Sequence, residues 1–347
     1  MQSRATCLLA SLVAATALGA CSGGASSTAP LAAPQAAQQS RALVDSVRAE
    51  VRFNLSPAAL QARTATRGPG FISPAARKQA TLFVSDLDAN EVRLYPAYTK
   101  NPTQSGTITQ GIDLPINAAV DKHGTLYVAN NGNSTVTEYP LGQTTPSVTL
   151  SSQLVYPNGI AVDEKGTVYV TSGANVGQCY VLEFPKGSMT PSVQVNGFGL
   201  PIGLAVDKHG NLYVGDAESG HYAVWEVPKG STTPTNLGLA GLADPTGVAI
   251  DPSNDLWVSN DYPQGNDSFT VLGFHAKTTE PFATITTGLD GPYSEAIGSN
   301  GTLFVGNSFH YPGSISAYKS GSLTPYETFT NGVENPAGLA VYPPPKL

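Results

Sequence analysis

Cysteine, methionine and tryptophan are nearly missing from this sequence, and charge is thin. The three cysteines, Cys7, Cys21 and Cys179, form no CxxC pair and no metal-type spacing, so neither a zinc site nor a disulfide framework is available. No apolar run reaches the ~20 residues that a membrane-spanning helix needs. Only 12% of residues are charged, and they are unevenly spread. Residues 22–80 carry seven basic side chains (Arg41, Arg48, Arg52, Arg63, Arg67, Arg77 and Lys78) against Asp45 and Glu50, whereas residues 81–347 carry ten basic against 23 acidic. Phosphate backbones want a basic face, so the acidic part argues against a nucleic-acid partner. A Gly-x-Ser-x-Gly elbow, a Walker loop and a dinucleotide fingerprint are also absent, and no catalytic residue or cofactor is assigned.

What the chain does have is 36 glycines and 27 prolines, a balance that suits many short strands joined by tight turns. Ahead of them, residues 1–20 read as a secretory signal. Arg4 supplies the leading charge, and Ala5 to Ala17 a short apolar core. The segment ends in Leu18-Gly19-Ala20-Cys21, which resembles a bacterial lipobox. That resemblance implies removal of the preceding peptide and acylation of Cys21. The mature chain is then expected in the bacterial cell envelope, outside the cytoplasm, on the outer membrane or cell surface. Its membrane contact is the lipid, at roughly 0.8 kcal/mol per buried CH₂. Cys7 leaves with the signal, and Cys179 is expected buried in or beside a strand. Residues 21–80 read as a tether, because the small, polar, Pro-dotted stretch 22–40 cannot bury enough apolar surface to offset its ordering entropy. Within it, Leu43, Val44, Val47 and Val51 lie at helical spacing, so a short helix over 41–53 is proposed. Residues 54–80 look irregular.

The main signal is a repeat. Leu-Tyr-Val or a close variant begins at Leu82, Leu126, Val168, Leu212, Leu256 and Leu303. Pro-x-x-apolar-Ala-Val-Asp begins at Pro115, Pro157, Pro201, Pro245, Pro292 and Pro336, degraded in the last two copies. Each period of ~44 residues holds four short strands, A to D, which matches a propeller blade. The A strand (Gly-apolar-Ala-Val) is apolar throughout, as befits burial on both faces. Asp-Lys-His-Gly, as in Asp121–Gly124 and Asp207–Gly210, turns the chain into strand B. The repeat region opens on a B strand, Leu82-Phe83-Val84, and closes on an A strand, Gly338 to Val341. Pairing these orphans completes a sixth blade and removes two open sheet edges. The expected fold is an all-β, six-bladed β-propeller over residues 81–347, closed by the strands at about 82–109 against about 338–342.

Pro157-Asn158-Gly159-Ile160-Ala161-Val162-Asp163 and Gly210-Asn211-Leu212-Tyr213-Val214-Gly215-Asp216 resemble NHL repeats. The region also resembles the wider superfamily of gluconolactonase (SMP-30-like) and streptogramin-lyase-like propellers. In such propellers, the D–A and B–C loops share one face, and ligands bind there at the mouth of the central channel. The lactonase resemblance implies Asn and Asp metal ligands just after the recurrent proline. Here that ring reads Ile116, Asn158, Ile202, Thr246, Tyr293 and Ala337, in which only Asn158 fits, so no metal site is assigned. The lyase resemblance wants His and Glu on the same face; His221, His310 and Glu295 are near enough in sequence to keep that reading open, but no motif unites them.

A second ring lies two residues beyond each strand-B valine: Asp86, Asn130, Ser172, Asp216, Asn260 and Asn307. It reads either as a polar lip for ligands or, preferably, as loop staples that bond backbone where strands end. The B–C loops become longer and aromatic late in the chain, at Glu218–Tyr222, Asp261–Asp267 and Ser308–Tyr311. Exposed aromatics beside amides and carboxylates suit sugars, peptides or proteins; alternatively they pack on one another to order the loops. The candidate ligand-binding set is Asn158, Asp216, His221, Tyr222, Asn260, Tyr262, Tyr293, Phe309, His310 and Tyr311. The function expected is a lipid-anchored binding or scaffold module for an envelope protein or glycan. A metal-dependent hydrolase or lyase of the same superfamily is the alternative.

Overall fold

In the computed structural model, which describes residues 70–73, 79–173, 178–218, 221–264 and 268–346, every helix or strand element is a strand. The signal, Cys21 and the segment 41–53 lie outside the described residues. Strands β1 (Phe71–Ile72), β2 (Thr81–Asp86), β3 (Glu91–Pro96) and β4 (Gly106–Ile108) come first. Blade 1 is β5 (Pro115–Val120), β6 (Leu126–Asn130), β7 (Thr135–Tyr139) and β8 (Val148–Leu150). Blade 2 is β9 (Ile160–Val162), β10 (Val168–Ser172), β11 (Cys179–Phe184) and β12 (Val193–Phe198). Blade 3 is β13 (Pro201–Val206), β14 (Leu212–Asp216), β15 (Ala223–Val227) and β16 (Thr235–Asn236). Blade 4 is β17 (Pro245–Ile250), β18 (Leu256–Gln264), β19 (Ser268–Phe274) and β20 (Ala283–Ile285). Blade 5 is β21 (Pro292–Ile297), β22 (Leu303–Asn307), β23 (Ser314–Tyr318) and β24 (Glu327–Phe329), and β25 (Pro336–Tyr342) ends the series. Each of these five blades is an antiparallel sheet in sequence order, and the sixth is built from both ends of the region, in the order β1-β4-β3-β2-β25. The protein is a six-bladed β-propeller.

Closure follows the register expected of the orphan strands: Leu82 faces Val341, Phe83 faces Ala340 and Val84 faces Leu339. Arg93 of β3 seals it. Its guanidinium donates to Glu91 (2.7 Å) and Glu334 (2.9 Å) and lies 3.4 Å from the buried Asp86 carboxylate. Asp86 in turn accepts the backbone N–H groups of Glu334 and Asn335, at 2.9 and 3.1 Å.

Neighbouring blades meet through apolar faces. Leu204, Val206 and Val214 of blade 3 pack on Ala161, Tyr169 and Val181 of blade 2. Leu82 and Tyr95 of blade 6 pack on Phe304 and Phe329 of blade 5. Each such fully buried side chain contributes about 1.5–3 kcal/mol. The A–B turns form as their sequence implies. Asp207 Oδ1 accepts the N–H groups of His209 and Asn211, both at 2.8 Å, while Gly210 takes the positive φ of 86° that closes the turn. Cys179 is a buried strand residue of β11, and burial pushes its thiol up to about 11.

One boundary differs from the sequence reading. Residues 71–72, read there as irregular tether, add a fifth strand to the closing blade, with Phe71 opposite Thr107 and Ile72 opposite Gly106. The outer strand β4 would otherwise present an unpaired edge, and this short strand covers it.

Candidate functional site

The mouth of the channel is shaped by one device used repeatedly. The register slips just after the recurrent proline, between Pro115 and Asn117, Pro201 and Gly203, Pro245 and Gly247, and Pro292 and Ser294. A bulge of this kind re-aims the extra side chain. Ile116 and Ala337 thereby meet Leu87 and Leu114 in an apolar plug, with Tyr293 packed against it. These residues do not suit the hard cation of a lactonase, which wants about six oxygen ligands. Thr246 spends its hydroxyl on the Pro292 carbonyl (3.3 Å), and Asn158 accepts a hydrogen bond from Asn131 Nδ2 (3.1 Å). Among the described residues, no three His, Cys, Asp or Glu side chains converge as metal ligands.

The ring of small polar residues staples loops. Asp216, 2% exposed, accepts hydrogen bonds from the backbone of Gly199 (2.8 Å) and Leu200 (2.6 Å) and from Trp225 Nε1 (3.1 Å). Asn260, fully buried, accepts from Ala243 N and donates to Gly241 O and Thr270 Oγ1. Asn130, Ser172 and Asn307 bind their own D–A loops in the same manner. Asp216 and Asn260 therefore leave the candidate set: their polar atoms are engaged inside the loops and do not face a ligand.

On the blade 5 loop two aromatics stay exposed. Phe309 touches Phe269 at 5.3 Å between ring centres, yet is 60% exposed, and Tyr311 is 64% exposed. Phe309 walls a cavity of about 210 Å³ at the mouth, with Leu87, Ile116, Asp261, Tyr293, Ser308, Asn335 and Ala337. His310 is exposed on the same loop and lies 2.6 Å from Asp290. His221 is exposed and Tyr222 half-buried on the blade 3 loop. The Tyr262 side chain lies outside the described residues.

The candidate set read from the sequence leaves out two carboxylates here. Asp244 precedes β17, and Asp261 sits late in β18; the Asp261 N–H donates to the Asp244 carbonyl at 3.1 Å. Burial pushes Asp244 up to about 6. Burial, reinforced by the Asp244 charge, pushes Asp261 up to about 7. Nothing within either repeat unit marks this pair, since only the fold brings the two loops together.

Glu295, grouped with His221 and His310 on sequence grounds, is not at the mouth. It lies between blades 4 and 5 at 8% exposure, at a register position filled elsewhere by Ala118, Ile160, Leu204, Val248 and Leu339. A Cβ added to Gly247 would fall 1.6 Å from Glu295 Oε2, so the carboxyl rests directly on that glycine. The other blades use the same seat: Leu204 covers Gly159, and Val248 covers Gly203. Neither carboxyl oxygen has a hydrogen bond of standard geometry, although Ser259 is close enough to favour the charged form slightly. Burial pushes the group up to about 8.

No family model matches the chain, and no curated protein matches it. Among solved structures, a chain from the crystal structure of a nidogen/laminin complex is similar, with a TM-score of 0.60 and 16% identity over 76% of this chain and 98% of that one. A chain of Kuenenia stuttgartiensis hydrazine synthase gives a TM-score of 0.47 and 14% identity, over 59% of this chain and 62% of that one. At 16% identity the likeness to the nidogen/laminin chain speaks to the fold and to nothing finer.

Proposed function

We propose that this protein is a binding module of the bacterial cell envelope, held to a membrane by lipid on Cys21, whose ligand seats at the channel mouth. The ligand class is an envelope protein or glycan. The observation that carries the binding reading is the pair Phe309 and Tyr311 on one loop, both more than half exposed, with Phe309 walling a cavity of mixed polar and apolar lining. Two large aromatics exposed side by side next to a concavity form a surface that a partner can cover. The NHL-like phrases and the lipobox-like signal support the same reading from the sequence side.

Tyr311→Ala and Phe309→Ala are expected to leave the melting temperature within about 2 °C of native. They are expected to weaken binding to purified envelope glycan or protein fractions by about tenfold in biolayer interferometry. Undiminished binding by both variants would overturn the reading. The anchor is tested separately. Cys21→Ala is expected to shift the protein from the membrane to the soluble fraction and to remove the acyl mass from the intact species. An unchanged membrane fraction with no acyl mass difference would overturn it.

A further inference from the structure

The lysines of the propeller are sorted by face. Lys122, Lys165 and Lys208 lie in A–B turns, Lys100, Lys186, Lys229, Lys277 and Lys319 in C–D turns, and Lys346 follows β25. All nine belong to the face opposite the mouth. The D–A and B–C loops that build the mouth carry Asp88, Asp113, Glu218, Asp244, Asp261, Asp290 and Glu334. The one arginine near them, Arg93, is already spent on Asp86, Glu91 and Glu334. Among the described residues the mouth loops thus carry a net negative charge, with only His221, His310 and the engaged Arg93 against it, while the lysines lie on the other face. A field of one sign selects and steers a partner of the opposite sign.

The cavity gives that field a focus. Its walls are apolar at Leu87, Ile116, Ala337 and Phe309 and polar at Tyr293, Ser308 and Asn335, and its charged member is Asp261. Asp261 and its neighbour Asp244 lie desolvated, with no cation acting on them among the described residues; burial raises both, and the Asp244 charge adds to the rise at Asp261. At about 210 Å³ the space is smaller than the ~300–1,000 Å³ typical of small-molecule pockets, and suits a single long side chain. A lysine or arginine stem is apolar along its length and charged at its tip, which matches walls of this kind with a carboxylate at the side.

We propose that the mouth recognises a basic peptide segment of a protein partner, inserting one lysine or arginine side chain between Phe309 and Asp261. This rests on the binding-module reading and narrows its ligand class. Phe309 lies against the stem, Asp261 takes the cationic tip with Asp244 behind it, and the remaining acidic loops attract the flanking charges.

The test uses the full chain and three fluorescently labelled octapeptides: octalysine, octaglutamate and a neutral glycine-serine repeat. Octalysine is expected to bind at least tenfold more tightly than either of the others. Its affinity is expected to fall about tenfold between 50 and 200 mM salt, as surface charges are screened. Asp261→Asn is expected to cost about tenfold and Asp244→Asn/Asp261→Asn more, while Lys208→Glu on the opposite face changes binding little. Both Asn variants should melt at or above the native temperature, since each removes a desolvated carboxylate, so lost binding does not report unfolding. Equal binding of the three peptides, or unchanged octalysine binding by the double variant, overturns the proposal. If a neutral or acidic envelope ligand binds and is lost in Tyr311→Ala while octalysine does not bind, the cationic ligand is wrong and the binding module stands. If octalysine binds as expected but Phe309→Ala does not weaken it, insertion into the cavity is wrong.

Discussion

Arg93→Ala should lower the stability of the propeller by about 3–5 kcal/mol, because it strands the Asp86 carboxylate inside the protein without its cation. For a domain of this size that is a fall of roughly 10 °C in melting temperature. The geometry explains the magnitude. Asp86 is fully buried and grips the Glu334–Asn335 loop that leads into β25, so its state bears on whether the closing strand stays seated. The Arg93 contacts with Glu91 and Glu334 are more exposed and contribute less. Arg93→Lys should recover only part of the loss, since an ammonium cannot fork among three carboxylates. Arg93→Ala with Asp86→Asn should recover more, because the stranded charge is then gone. A scanning calorimetry trace of Arg93→Ala within about 2 °C of native would show that this cluster does not hold the ring.

The second large effect is pH-dependent and belongs to Glu295. Its carboxyl ionises at about 8 in the folded chain against an ordinary 4.5. A raised value means that the folded state prefers the protonated form. The stability this provides is fully present below pH 4.5 and is lost as the pH rises through about 8. The change across that window is on the order of 5 kcal/mol. Asp244 and Asp261 shift in the same direction, so the informative quantity is the difference between native and variant. Glu295→Leu restores the side chain that Leu204 and Leu339 supply at the same place in other blades. It should match or exceed native stability at pH 5 and exceed it by several kcal/mol at pH 9. Glu295→Gln should flatten the pH slope without adding apolar packing. Urea unfolding at pH 5, 7 and 9 measures all three proteins, and parallel native and Glu295→Leu curves would refute the assignment.

The sequence reveals the ring more readily than the site, for a physical reason. Repeats report what every blade must do. The apolar A strands, the Asp-Gly turns and the polar residue after each B strand all recur, and the unpaired halves at Leu82 and Val341 announce closure. The staple role of that polar residue, seen at Asn130, Asn260 and Asn307, is likewise legible because it repeats. The candidate site consists of departures from the repeat, and each departure is readable only against its spatial neighbours. Glu295 stands out as the charged member of an aliphatic register position, but that it rests on Gly247 of the preceding blade is a property of the packing. Asp244 and Asp261 look like ordinary loop carboxylates until the fold places them together and dries them. The edge strand at Phe71–Ile72 is two residues long, too short for any period to reveal.

The closing strand also sets when this protein can finish folding. Leu82 must wait for Val341, more than 250 residues further along the chain. At about 5–20 residues per second of synthesis, the interval is roughly ten seconds to a minute. Until then blade 6 lacks its inner strand and the ring has two raw edges. A nascent chain of this design stays open until its last blade strand has emerged. Its exposure to stray strand pairing ends in a single late step.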